Sequence, residues 1–189
     1  MGGHLTWYSA RSAGFVSWGL MAASVLWGLA LSSRVFGRRP RPVWLLDLHR
    51  YLGGLAVVFT GVHVAMIVLD SFVHFSLIDV VVPLASSWHP VAVAWGVVAL
   101  YLLLAVEITS LVRDKIPKVL WRRVHYLSFP LLVLSSVHAL SAGTDGTSSI
   151  FLIALVVVGS LTAGLLVARG ERAEQVEARA QQRTLLNRP

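Results

Sequence analysis

"LHRYLGGLAVVFTGVHVAMIVLD", residues 48–70, sets His49 and His63 in a run that is otherwise largely apolar. A hydrocarbon core about 30 Å thick needs about 20 apolar residues of helix, so the segment reads as a membrane span. Fourteen residues at about 1.5 Å each place the two rings roughly 21 Å apart, one toward each membrane face. In a left-handed bundle with about 3.5 residues per turn, that spacing points both rings the same way. Between them the same face carries Gly53, Ala56 and Thr60. Side chains this small leave room for a large flat group or let a second helix approach closely.

A second pair lies in "WRRVHYLSFPLLVLSSVHAL", residues 121–140, where His125 and His138 are separated by 13 positions. That interval does not return to one face of an ideal helix. Pro130 lies between them, removing a backbone donor and crowding the preceding turn, so a distorted turn is expected to restore the facing. Ionisable side chains at membrane depth are costly, and each is a functional-site hypothesis.

Of the 189 residues, 56% are hydrophobic and 13% charged, with a mean hydropathy of +0.72. This is the balance of an integral membrane protein. The net charge of +7 belongs to membrane-flanking loops and gives no reason to expect nucleic acid. The absence of cysteine excludes disulfides, thiolate metal sites, iron–sulfur clusters and covalently attached c-type haem. No GxGxxG or GxxxxGK[ST] fingerprint is present, so a flavin or nicotinamide module would belong to another chain.

Five segments are long and apolar enough to span, near 13–33, 43–69, 90–112, 119–141 and 149–168. The expected fold is an all-α polytopic membrane helix bundle. The 70–89 stretch, "DSFVHFSLIDVVVPLASSWH", is interrupted by Asp79 and Pro83 and is expected along the interface. Basic residues follow the first segment (Arg34, Arg38, Arg39, Arg41), fill the loop before the fourth (Arg113, Lys115, Lys118, Arg122, Arg123) and populate the tail (Arg169, Arg172, Arg179, Arg183, Arg188). The 70–89 loop and "SAGTDGTSS" have none. The positive-inside rule then puts the N-terminus outside and the C-terminus in the cytoplasm, with Arg11 the exception. The first segment has its arginines after the apolar run rather than before it, so it reads as a retained helix rather than a cleaved signal. Residues 1–168 form the membrane domain, and 169–189 read as a charged, solvated helical extension.

Helices two and four run in the same direction, so His49 is level with His125 on the cytoplasmic side and His63 with His138 on the outer side. Two facing imidazoles at each of two depths suggest bis-histidine ligation of two b-type haems between these helices. Iron takes neutral nitrogen ligands, porphyrin takes an apolar slot, and six-coordination leaves electron transfer as the chemistry. A small tetrahedral zinc site is less apt. One intramembrane histidine alone could as readily hydrogen-bond a neighbouring helix, but four paired by depth favour the ligand reading.

"LHRYLGGLAVVFTGVH", "SLIDVVVPLASSW", "ITSLVRDKIPKVLWRRVHYLSF" and "VHAL" together resemble the ferric reductase-like transmembrane domain, the haem core of ferric reductases, NADPH oxidases and MsrQ-type bacterial cytochromes. The resemblance spans about residues 43–141. It implies two haems b, with iron held by His49 and His125 on the inner side and by His63 and His138 on the outer. Many members have six helices, and the large oxidases add a C-terminal flavin and nicotinamide domain for which the tail here is too short. The expectation is therefore the membrane haem subunit of an oxidoreductase in the plasma (inner) membrane. A separate flavoprotein reductase, reduced flavin or quinol would feed it on the cytoplasmic side, and an outer-side acceptor would drain it. The alternatives are a quinol-linked cytochrome b and a non-enzymatic haem carrier or scaffold.

Arg50, Arg122 and Arg123 lie at the inner level, as propionate partners or as positive-inside anchors. Asp47 is expected to pair with Arg50, and Glu107 with a loop arginine. His74 and His89 stand in the outer loop, solvated or beside an acceptor or metal. Phe59 and Phe129 fall between the two histidine levels as core or porphyrin-edge aromatics. Trp7, Trp18, Trp44, Trp88 and Trp121 read as interface anchors. The small pairs Gly19 with Ala23, Ser24 with Gly28 and Gly159 with Ala163 suit close helix packing or an oligomer contact.

Overall fold

The computed structural model describes residues 2–33, 43–70, 74–143 and 145–186. All regular structure among them is helical: α1 (Gly2–Ser32), α2 (Val43–Val68), α3 (Leu77–Val81), α4 (Pro90–Leu111), a 3₁₀ turn at Arg113–Lys115, α5 (Lys118–His125), α6 (Ser128–Ala142) and α7 (Ser149–Leu186). Among the described residues five stretches are long and apolar enough to cross a membrane: Leu5–Ser32, Val43–Val68, Pro90–Leu111, Lys118–Ala142 and Ser149–Gln175. In lipid every backbone polar group must be satisfied internally, and helices do this segment by segment. The loop arginines Arg34, Arg38, Arg39 and Arg41, and Arg188 and Thr144, lie outside the described residues.

One boundary differs from the sequence expectation, for a local reason. α1 begins at Gly2 rather than near residue 13, because nothing between Leu5 and Gly14 interrupts helical hydrogen bonding. As expected, the 70–89 loop does not span: among its described residues it holds only the five-residue α3, opened by a capping box between Ser76 and Asp79 and docked on α4 by the Tyr101 hydroxyl donating to the Val81 carbonyl. α7 runs unbroken through residue 168. The first turns of the tail are also docked rather than wholly solvated. Arg172 donates to the Ser33 carbonyl, and Arg169 donates to the Tyr126 hydroxyl at 3.2 Å.

The fourth span is broken between α5 and α6. Pro130 has no N–H and would crowd the carbonyl four residues back, at Tyr126. The chain tightens there to three-residue bonds, Leu127 N to Val124 O at 2.9 Å and Phe129 N to Tyr126 O at 3.2 Å. This overwound step lies between His125 and His138, where a change of facing was needed.

α1 packs along α2 and also touches α6 and α7, while α4 packs on α6 and α5. α2 and α6 face each other with no more than marginal backbone contact. Ala99, Leu103 and Leu131 form a buried cluster with Met21, Val57, Leu102 and Leu134 packed around it. Trp18 is a correction to the sequence reading. It lies mid-helix, 7% exposed, donating from Nε1 to Ser136 Oγ at 2.9 Å, because the early start of α1 moves it inward. Trp44, 58% exposed, keeps the position of an interface anchor. The outward faces of α7, with Ile150, Ile153, Val156 and Val157, are apolar and exposed, as lipid-facing helix surfaces are.

Candidate functional site

The helices bring the four intramembrane histidines together as two facing pairs. The ring centres of His49 and His125 lie 5.9 Å apart with planes at 75°. Those of His63 and His138 lie 6.3 Å apart at 79°. α2 supplies one ring of each pair, α5 supplies His125 and α6 supplies His138.

What holds the rings is the second layer of helices. His63 Nδ1 lies 2.7 Å from the Ala10 carbonyl, His49 Nδ1 3.0 Å from the Ser24 carbonyl, and His138 Nδ1 2.8 Å from the Ala92 carbonyl. A carbonyl only accepts, so Nδ1 carries the proton in all three and Nε2 is left with a free lone pair. A backbone acceptor of this kind fixes the tautomer and orientation of a ligand histidine. His125 is held differently: its Nδ1 is 3.5 Å from the Ser110 hydroxyl, and Trp121 stacks on it at 5.1 Å and 25°.

Glycines make the close approach available. A Cβ at Gly14 would fall 2.9 Å from His63 Nδ1, one at Gly28 3.0 Å from His49 Cε1, and one at Gly96 2.7 Å from His138 Cε1. Each glycine lies four positions after the carbonyl that anchors the same ring.

The family model described as ferric reductase like transmembrane component matches residues 13–136, well over half of the chain. The chain belongs to this family. Its members are membrane electron-transfer components, and His49, His63 and His125 fall within the matched span, with His138 two residues beyond it. No curated protein and no solved structure matches the chain.

Around the His63–His138 pair of this ferric reductase-like domain lies a cleft of about 1430 Å³, its open mouth included. Ser17, Thr60, Gly96, Leu103, Leu131 and Ser135 wall it, and Trp7, Arg11, Phe75 and Trp88 stand where it reaches the 74–89 loop. Not all of the small-residue face of α2 opens on this space. Ala56 is fully buried, with its carbonyl accepting from Ser17 at 3.1 Å, and Ser17 Oγ lies 2.6 Å from Thr60 Oγ1. Gly53 accommodates the Glu107 carboxylate, whose Oε1 would be 2.5 Å from a Cβ there.

The remaining sequence candidates are scattered around this centre. Arg50 pairs with Asp47 at 3.6 Å, both more than half exposed. Arg122 and Arg123 are exposed. Glu107 points at α2, and among the described residues no arginine pairs with it. His74 is exposed. His89 caps α4 in the left-handed region, φ 41°, with its ring edge-on to Trp88 at 4.5 Å. Arg11 is not stray, for it pairs with Asp145. Of the small pairs, Gly28 serves His49, while Gly19 and Gly159 have open space around them. Among the described residues, no three His, Cys, Asp or Glu side chains gather into a metal-binding group.

The anchoring carbonyls, Gly14, Gly96 and Ser110 were not read from the sequence, and Gly28 was read there only as a helix-packing residue. A signal existed: Gly14 and Gly28 repeat at the 14-residue interval that separates His49 from His63.

Proposed function

We propose that this chain is the membrane haem subunit of an electron-transfer system, with His49 and His125 holding one haem b and His63 and His138 a second. The observation that carries this reading is the pair of ring separations, 5.9 and 6.3 Å. One metal bound to a nitrogen of each ring at about 2 Å per bond, with about 1 Å from nitrogen to ring centre, sets the centres about 6 Å apart.

Three further features support the fit. The Nδ1 protons are committed to carbonyls at three of the rings, so Nε2 is the free ligand atom. At the His63–His138 level α2 and α6 stand apart across a cleft walled by small and aliphatic residues, the surroundings an apolar macrocycle needs. Trp121 Nε1 is buried with no partner among the described residues, a donor that a carboxylate at the inner haem's edge would satisfy.

When bound, the haems would supply reversible one-electron carriage between the two membrane faces. The chain's part is to fix ligand geometry, exclude water and set potentials through what surrounds each ring. The distribution of Arg and Lys puts His49 and His125 on the cytoplasmic side, the N-terminus outside and the C-terminus inside. A separate flavoprotein reductase or a quinol is the donor in this reading, and the acceptor meets the outer cleft. A membrane potential negative inside favours outward electron movement by about 2.3 kcal/mol per 100 mV.

Optical spectra of the purified protein, oxidised and dithionite-reduced, with pyridine-haemochrome quantitation, test the proposal. Two b-type haems per chain with low-spin bands are expected. Protein that stays haem-free after expression with ample haem would overturn it and leave the histidines as packing groups.

A further inference from the structure

α1 and α4 present the same device to the histidines. On α1, Ala10 O with Gly14 serves His63, and Ser24 O with Gly28 serves His49. On α4, Ala92 O with Gly96 serves His138. The two α1 stations are 14 residues apart, matching four helical turns between the histidine levels. Carrying that interval along α4 from Ala92 and Gly96 reaches Val106 and Ser110. The fourth station therefore has a serine where the other three have glycine, and it is this serine that faces His125 Nδ1 at 3.5 Å.

We propose that Ser110 is the positioning residue of the inner pair, its hydroxyl taking the place of the backbone carbonyl that orients each of the other three rings. The assignment rests on the haem reading above. The Cβ of Ser110 occupies the space that glycine leaves open elsewhere, and it keeps the His125 ring from settling on the helix backbone as His138 does. The hydroxyl accepts the Nδ1 proton instead, at longer range than the 2.7–3.0 Å of the carbonyl contacts. Trp121, stacked on the ring, supplies the constraint that the missing carbonyl does not.

The consequence is electronic. An acceptor on Nδ1–H pushes electron density through the ring to the metal and favours the oxidised iron. The weaker the acceptor, the smaller that push, so His125 is the least donating of the four ligands. One side chain thus sets the inner potential apart from the outer, and it does so without touching the metal.

Redox titration of the intact protein, followed at the haem bands, separates these effects. The inner step is assigned as the one that survives in His63→Ala. Ser110→Ala removes the acceptor and keeps the Cβ, so the inner midpoint should rise. Ser110→Gly restores the arrangement of the other stations and lets the ring reach the Val106 carbonyl, so the inner midpoint should fall. Each shift should approach a tenfold change in the reduction equilibrium, about 59 mV for one electron, with the outer midpoint unmoved. Opposite signs are the decisive outcome, because loosened packing alone would move both variants the same way. Two haems in every variant with the inner midpoint unchanged, or shifted in one direction by both, would overturn the Ser110 assignment and leave the haem reading standing. Absence of haem from the unmodified protein would overturn both.

Discussion

His63 on α2 and Ala10 on α1 meet ring to backbone, with Nδ1 2.7 Å from the carbonyl oxygen. His49 and Ser24 repeat the relation at 3.0 Å on the same two helices. α1 is thus the element that orients both α2 rings, and α4 plays that part for His138. The facing pairs depend on helices that carry none of the four histidines.

If the chain holds two haems as proposed, alanine at His63 or His138 should remove one haem signal and leave the other, and alanine at His49 or His125 should do the converse. Haem stoichiometry and the surviving optical band are the measurement. A folded single variant that lost neither haem would contradict the pairing by depth.

Gly96→Ala places a Cβ 2.7 Å from His138 Cε1, and the ring must shift, whereas Gly19→Ala meets nothing within 4 Å. If the rings hold haems as proposed, the first should lower occupancy of the haem at His63 and His138 while keeping the other. The second should keep both and favour the helix by up to about 1 kcal/mol. Haem content and thermal unfolding in detergent distinguish them.

Ser136→Ala would leave the Trp18 indole N–H buried without its acceptor, a loss of about 1–3 kcal/mol. Adding Trp18→Phe removes the orphaned donor as well. The double variant should therefore be less destabilised than the sum of the singles, measured by thermal unfolding in detergent.

The Asp79 carboxyl is held below its ordinary value by hydrogen bonds from the Ser76 hydroxyl and backbone amide. A depressed folded value means the cap contributes above the ordinary carboxylate pKa, about 4, and is lost as pH falls through the depressed one. Amides of Val80–Val82 should therefore exchange more slowly in the unmodified protein than in Asp79→Asn at pH 6. The difference should close in strong acid.

With no native cysteine, single cysteines report topology directly. Cysteine at Ser87 should react with a membrane-impermeant maleimide in intact cells. Cysteine at Lys115 should react only after the membrane is opened. The reverse pattern would invert the orientation read from the basic residues.

The spans, their number and the pairing of His49 with His125 and His63 with His138 were legible in the sequence, because apolar run length and residue spacing translate directly into position along a helix axis. Pro130 likewise announced the break that lies between His125 and His138. Local sequence does not encode which helix stands behind another, and the rest follows from that. Trp18 became a core residue, Glu107 came to lie against Gly53, and Arg172 was docked on the end of α1 through contacts between distant segments. The carbonyls of Ala10, Ser24 and Ala92 have no side-chain signature at all. A backbone acceptor becomes a ring anchor only when packing brings a histidine within hydrogen-bonding distance and a glycine one turn on leaves room for it.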